Sequence, residues 1–389
     1  MREAAILEIG QTQVSDHWDK SLLEITGAPV LQIFEKTGIH TVDSIFVGNM
    51  LCGISNQQLH LGTYLCDWVG ARHAEAIHVE AACASGAAAF RAALMAVCSG
   101  EAESAIAVGS EKMTDSLSED MSAALATASD AESERDMGIT FPSLAAMLMR
   151  RYMLEYGWEK EAFAPFTLNA HANAVFNPFA RYRKAIRTED YLRAAPVCDP
   201  VSVMDAAPVC DGAAAVLIVP LDAVRGYHGV VRVLGSAVSS DRMAVHDRKD
   251  PLWLSAAEKS AKAAYAQAGI GPENVDLFEA HDAFTIITAL SLEACGFANR
   301  GEAPHLALSG EIERTGRIPI STRGGLKARG HPVGATGLYQ ITEAVQQLNG
   351  LCGEGQVPGA RIAMTQNIGG CGTTAYTNIF ELNQPNRAS

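Results

Sequence analysis

The sequence predicts an α/β fold, and three observations carry that reading. Short β-type runs alternate with helical stretches over the first ~110 residues; a polar stretch with little sign of strands follows; the alternation then resumes and continues to the C-terminus. Composition agrees. Nearly half of the 389 residues are hydrophobic, 6% are aromatic and 34 are glycine, which suits helices packed closely on sheet rather than a disordered chain. A chain of this length calls for two compact units, or for one large duplicated unit with an excursion.

In the first part the β-type runs are Ala4 to Gly10, Ser44 to Leu51, Ala76 to Ala82 and Ser104 to Val108. The third closes on Cys83. The helix after it begins around Ser85-Gly86, carries Ala87, Phe90, Leu94 and Val97 on one face and stops at Ser99-Gly100. From about Ser110 to Pro208, runs of Ser, Asp, Glu and Arg are broken by helical patches such as Leu144 to Tyr156, the pattern of an inserted helical excursion. After Cys210-Asp211-Gly212 the runs Ala213 to Val219, Val230 to Ser236, Val275 to Ala280 and Arg361 to Asn367 read as strands, with a helix from about Ser255 to Ala268. A last helix with Leu338, Ile341, Val345 and Leu348 at helical spacing stops at Gly350, preceded by a loop that carries His331. The two α/β parts echo one another, and a duplicated fold would bring their two helix starts face to face.

The formal charge of −14, from 44 acidic against 30 basic side chains, argues against a broad footprint for nucleic acid or an anionic membrane. The opening Met1-Arg2-Glu3-Ala4 shows no basic-then-apolar signal, and no uninterrupted apolar run approaches the ~20 residues that span a bilayer, so a cytoplasmic location is expected. Nine cysteines, scattered and without a C-x-x-C pair, suggest free thiols rather than a disulfide framework or a zinc site. The ordinary role of any one of them is that of a small buried hydrophobe.

Position singles out two. Glu80-Ala81-Ala82-Cys83-Ala84-Ser85-Gly86-Ala87 sets a cysteine where a strand turns into a helix among small residues, where the helix N-terminus should stabilise thiolate and lower its pKa below the usual value of about 8.5. Asn367-Ile368-Gly369-Gly370-Cys371-Gly372-Thr373-Thr374 sets another in a tight glycine turn, which could equally be a mere hairpin. The segment Gly324 to Gly337, with His331 among five glycines, lets backbone approach a ligand and gives it a histidine able to take or give a proton. Glu279-Ala280-His281-Asp282-Ala283-Phe284 ends a strand on an adjacent His and Asp, readable as a metal-ligand pair or a capped loop, although it fits no zinc spacing. Asn177 to Arg187 concentrates Arg181, Arg183, Lys184 and Arg187 within seven positions, suited to nucleotide phosphates or to a solvated helix face.

Together these segments resemble the thiolase superfamily over essentially the whole chain, in the family's order: the Cys83 segment its acyl-accepting motif, Gly330-His331-Pro332 with Gly334-Ala335-Thr336-Gly337 its histidine motif, and Cys371-Gly372 its second-cysteine motif. His281-Asp282-Ala283-Phe284 departs from the Asn-Glu-Ala-Phe of most thiolases and is similar to sterol-carrier-protein-type and archaeal acetoacetyl-CoA thiolases. The resemblance implies a duplicated fold, two βαβαβαββ halves in five layers α-β-α-β-α, with residues 1–110 as N-terminal half, 111–208 as an inserted loop domain that binds CoA, a closing strand at about 209–222, and 223–389 as C-terminal half.

By the same resemblance the activity is that of an acetyl-CoA C-acetyltransferase feeding isoprenoid precursors through the mevalonate pathway. Cys83 is then the nucleophile, His331 and Cys371 the acid/base pair, and His281 a donor to the thioester oxygen or a water. Backbone N–H groups of Cys83 and Gly372 form an oxyanion hole. Coenzyme A thioesters are substrates, with no permanent cofactor and no metal. A homodimer or dimer of dimers is implied, and so is a complex with hydroxymethylglutaryl-CoA synthase bridged by a zinc-ribbon and OB-fold protein. Four other readings are weighed. These are a thiolase for longer 3-oxoacyl chains, a decarboxylating ketosynthase, a retro-aldol lyase and a non-catalytic CoA-binding scaffold. The Cys371 turn counts against the ketosynthase, the two cysteines against the lyase, and the intact motifs against the scaffold.

Overall fold

The computed structural model describes residues 2–224 and 226–383. The first part runs β1 (Ala4–Gln11), α1 (Leu22–Thr37), β2 (Ser44–Gly48), α2 (Cys52–Ser55), α3 (Leu61–Val69), β3 (Glu75–Val79), α4 (Ser85–Ser99) and β4 (Ala105–Glu111). Helix α1 starts on a capping box between Ser21 and Glu24 and stops on left-handed Gly38, so its ends are written locally. The excursion holds α5 (Ser118–Ala126), α6 (Phe141–Tyr156), α7 (Ala164–Ala174) and α8 (Thr188–Leu192), plus a small hairpin, β5 (Pro196–Cys198) with β6 (Val201–Ser202), that the sequence does not announce. Then follow β7 (Gly212–Pro220), β8 (Val231–Ser240), α9 (Ser255–Ala268), β9 (Leu277–Glu279), α10 (Thr285–Ala294), α11 (Ala303–Leu308), α12 (Thr336–Leu348), β10 (Ile362–Gly369) and β11 (Thr374–Leu382).

Nine strands form one sheet in the order β3-β2-β4-β7-β1-β8-β11-β10-β9. The seam is narrow: β1 meets β8 only at Ala5–Arg232 and Ile6–Val231. Outward from it, each side repeats the same sequence of strands, β1-β7-β4-β2-β3 on one and β8-β11-β10-β9 on the other. The pairing senses repeat too: two antiparallel contacts nearest the seam, then a parallel one. Where β3 lies parallel to β2, the second side keeps only a parallel bridge from Phe278 to Ile320. The chain is therefore a duplicated α/β fold. Helices α1 and α3 cover the first side, α9 the second with α10 packed beside it, and α4 with α12 lie between, which gives the five layers.

The two central helices touch closely at their starts. A methyl group on Gly86 would stand 2.6 Å from the Gly334 carbonyl, and one on Gly337 2.5 Å from the Ala87 nitrogen, so only glycine allows this approach. Helix α12 departs from its expected one-sided character, since both its faces are buried. The polar face survives because its groups are bonded: the Gln340 amide donates to the carbonyls of Glu279, Ala280 and Gln366, and Gln347 bonds Thr322 and Gly355. The stretch Ala82–Ser99, with α4, is apolar enough over 18 residues to cross a membrane by length and composition, although Arg91 interrupts it, and 61% of it is buried inside this core. All nine cysteines are free thiols.

Candidate active site

Strand β3 stops at Val79 rather than running to Ala82. Ser85 explains the turn: its hydroxyl accepts from the Ala81 N–H at 2.9 Å and donates to the Ala82 carbonyl at 2.6 Å, which folds the chain back before α4. Ala82 sits at φ 52°, a left-handed conformation that alanine seldom adopts, directly before Cys83. The elbow holds Cys83 against Met50, Leu51, Met113, Met121, Ala124 and Val333.

The second cysteine is in the β10–β11 hairpin, so the turn is a hairpin and part of the site at once. Its neighbour Gly369 packs on the Ala81 carbonyl, and the N–H groups of Gly370 and Cys83 point at the Cys83 sulfur. Among the described residues neither the Cys83 nor the Gly372 N–H donates to another backbone carbonyl.

His281 follows β9, and His331 precedes the short turn Val333–Ala335 that leads into α12, so the helix begins five residues after the histidine. Their rings meet edge to face with centroids 5.2 Å apart. Two side chains fix their tautomers. The Asn367 amide donates to His281 Nδ1 at 3.0 Å, which leaves the proton on Nε2. Thr336 Oγ1 lies 2.6 Å from His331 Nδ1 and donates to the Pro332 carbonyl, so His331 keeps its proton on Nδ1 and a lone pair on Nε2.

Burial dominates the electrostatics. It pushes the Cys83 thiol up to about 12, helped by Glu111 and Glu80 and opposed by the N–H groups of Cys83 and Gly370. The expectation of a depressed thiol is therefore corrected: in the free site desolvation outweighs the helix start. Burial likewise raises Cys371 to about 11, with Arg248 opposing and Glu134 reinforcing. It holds His281 down to about 3, helped by the Arg329 charge, and His331 well below the usual histidine range, helped by His281 and Arg329. The resting site thus holds two thiols and two neutral imidazoles.

Sequence reasoning missed the residues behind these four. Glu111, buried at the end of β4, accepts from the N–H groups of Met50, Leu51 and Gly334, tying the loop after β2 to the His331 loop; burial raises it to about 7. Arg329 is fully buried, 3.0 Å from Glu343 and over the Tyr339 ring. Arg248 donates to the Cys371 carbonyl at 2.6 Å. The acid that closes the apolar run Ala105 to Ser110 is the one signal that could have pointed to Glu111.

The basic segment fares less well as a phosphate site. Arg181 makes a two-pronged ion pair with Asp16, and Arg187 faces Glu189 and Asp190; Arg183 and Lys184 are exposed. The backbone of Arg181 and Tyr182 is bonded to Arg329 and Ala328.

Comparison with known proteins agrees with this geometry. Residues 3–222 match the family model "Thiolase, N-terminal domain" and residues 237–382 "Thiolase C-terminal domain-like". The chain is 42% identical over 383 residues to an acetyl-CoA acetyltransferase of Methanothermobacter thermautotrophicus, covering 98% of this chain and 100% of the relative. It is 33% identical over 378 residues to the benzoylsuccinyl-CoA thiolase subunit BbsB of Thauera aromatica, covering 95% of each. Among solved structures, the Ltp2-ChsH2(DUF35) aldolase shares the fold with a TM-score of 0.85 at 24% identity, over 98% of both chains. With both halves matched along nearly all their length, this chain belongs to the thiolase family.

Proposed function

We propose that the protein is an acetyl-CoA C-acetyltransferase that condenses two acetyl-CoA molecules to acetoacetyl-CoA and CoA, and catalyses the reverse thiolysis. The observation that carries the reading is the meeting of the Cys83 elbow with the Cys371 hairpin, together with the packing of the helix after Cys83 on the turn after His331, whose ring in turn meets that of His281. Full-length likeness to an acetyl-CoA acetyltransferase supports the substrate class.

In the first half-reaction His331 Nε2 takes the Cys83 proton as sulfur attacks the thioester carbon. The C–S bond to CoA breaks, and the departing CoA thiolate receives that proton. In the second, His331 Nε2, free again once the CoA thiol has formed, takes the Cys371 proton, and the Cys371 thiolate removes an α-proton from a new acetyl-CoA. The enolate oxygen is stabilised by the Nε2–H of His281 and by the Nε2–H that His331 has gained. The enolate carbon attacks acyl-Cys83, the oxyanion rests on the N–H groups of Cys83 and Gly372, and the Cys83 thiolate leaves and takes the proton held by His331. A neutral His331 suits the first step, since only the free base can accept a proton.

We further infer a cytoplasmic homo-oligomer at the entry to isoprenoid synthesis, docked to hydroxymethylglutaryl-CoA synthase through a zinc-ribbon and OB-fold bridge. This part rests on the archaeal-type motifs. The CoA phosphates are assigned to Arg183 and Lys184, because Arg181 is engaged by Asp16.

Thiolysis of acetoacetyl-CoA, measured against longer and aromatic 3-oxoacyl-CoAs, tests the substrate. Acetoacetyl-CoA should have the highest kcat/KM by at least about tenfold, ~1.4 kcal/mol of selectivity. A preference for an aromatic substrate would move the protein toward the benzoylsuccinyl-CoA type.

A further inference from the structure

Arg248 lies in the turn between β8 and α9 and is only 5% exposed. Its Nη1 donates to the Cys371 carbonyl at 2.6 Å, while Nη2 reaches Thr373 Oγ1 at 3.5 Å and Nε the Arg242 carbonyl at 3.4 Å. Among the described residues no carboxylate lies within ion-pair distance of it. The nearest acid by influence, Asp241, turns its carboxylate to Ser255. A buried guanidinium with a neutral carbonyl as its best partner is costly to hold, unless an anion forms beside it during turnover.

The hairpin is built around this arginine. A methyl group on Gly372 would stand 3.2 Å from Arg248 Nη1 and 2.7 Å from Leu254 Cδ2, so the turn is pressed onto both. Asp241 N–H donates to the Thr373 carbonyl at 2.7 Å, fastening the same segment to the other shoulder of the turn. Glu134, 2% exposed, accepts from the N–H groups of Val245, in the turn that leads to Arg248, and Asp130, and bears on Cys371 with opposite sign.

We propose that Arg248 is a positioning residue for Cys371: it holds the cysteine's turn through the carbonyl and supplies the charge that a thiolate there requires. The inference rests on Cys371 as the α-proton base and adds the group that makes that base usable. When His331 takes the Cys371 proton, the anion forms on the very residue whose carbonyl the buried cation holds. The thiolate and guanidinium then neutralise each other until the thiolate takes the α-proton of the substrate. Arg248 touches no reacting atom. Electrostatics agree in direction, since Arg248 is the charge that opposes the burial of Cys371.

The test compares wild type with Arg248→Gln and Arg248→Lys. Three quantities are read: the pH midpoint of Cys371 alkylation by iodoacetamide with peptide mapping, exchange of acetyl-CoA methyl protons with deuterated water, and acetylation of Cys83. Arg248→Gln should raise the alkylation midpoint by about one pH unit or more and slow exchange at neutral pH by about tenfold or more. Cys83 acetylation should stay within about threefold, which also reports that the variant is folded. Arg248→Lys, keeping the charge, should lie near wild type in midpoint. An unchanged midpoint in Arg248→Gln would overturn the proposal, as would equal shifts in both variants. Should Arg248→Gln not fold, an Arg248→Lys midpoint raised by a full unit would overturn it too. The Cys371 reading fails separately, if Cys371→Ala retains wild-type exchange.

Discussion

At the scale of single residues, the two cysteines have similar burial but distinct proposed work, and that makes them separable. Cys371→Ala should still acetylate Cys83 through His331 yet lose condensation and methyl-proton exchange by at least about 10². Cys83→Ser should lose acyl transfer while exchange persists, since the Cys371 base and the His281 donor remain. Condensation by Cys371→Ala within about tenfold of wild type would reduce Cys371 to a packing residue. The pH profile has a definite sign. Both imidazoles are held below the usual histidine range, so they stay neutral as pH falls through about 6.5, and Cys83 acylation should show no acid limb there. Cys83, Cys371 and His331 stood out in the sequence because glycines and small residues cluster around them, whereas His281 stood out only through the resemblance of its motif. Arg248 and Glu111 were not, since their partners are backbone groups 123 and 223 residues away at Cys371 and Gly334. The direction of the Cys83 shift was misread for a related reason: a helix start is visible in sequence, whereas complete burial is not.

At the scale of elements, local chemistry wrote most boundaries, as the Ser255–Ala268 helix and the glycine stop at Gly100 show. It failed where distant parts intervene. The run to Ala82 has strand composition, yet Ser85 bends it after Val79, and the polar face of α12 looks solvent-facing until its amide and carboxylate partners are known. The contact between α4 and α12 is the element on which the site depends, because it sets Cys83 relative to His331. Gly337→Ala should therefore force the helices apart. Its new methyl group meets the Ala87 nitrogen, backbone that cannot rotate away. Overpacking of this kind should cost about 1–3 kcal/mol, read as a lower urea midpoint at unchanged m. Activity should fall further than stability accounts for, since a shift of about 1 Å at the reacting groups can cost 10² in rate. Wild-type activity and midpoint in this variant would show that the two helices can slide without consequence.

At the scale of the whole molecule, the nine-stranded sheet is closed by helices on its faces but open at the β3 end. That strand has β2 on one side and, among the described residues, no strand on the other. Ile77 at its centre is 41% exposed, and Tyr64 and Trp68 of the covering α3 are 46% and 40% exposed. An open edge flanked by exposed apolar side chains is a liability that proteins normally cover, and in the homo-oligomer proposed above a second copy related by a two-fold axis would cover it with the same edge, giving a continuous antiparallel sheet. Light scattering should then report twice the mass of one chain, or a multiple of it, at micromolar concentration, and Ile77→Lys should shift the distribution toward single chains. The chain connects this edge to the chemistry: Cys83 lies four residues beyond the end of β3, on a strained elbow into which that strand leads. Specific activity should therefore fall on dilution together with the mass, and fall earlier for Ile77→Lys. A wild-type protein that is a single chain at all concentrations, with constant specific activity, would show that β3 is sufficiently braced by β2 and α3 alone.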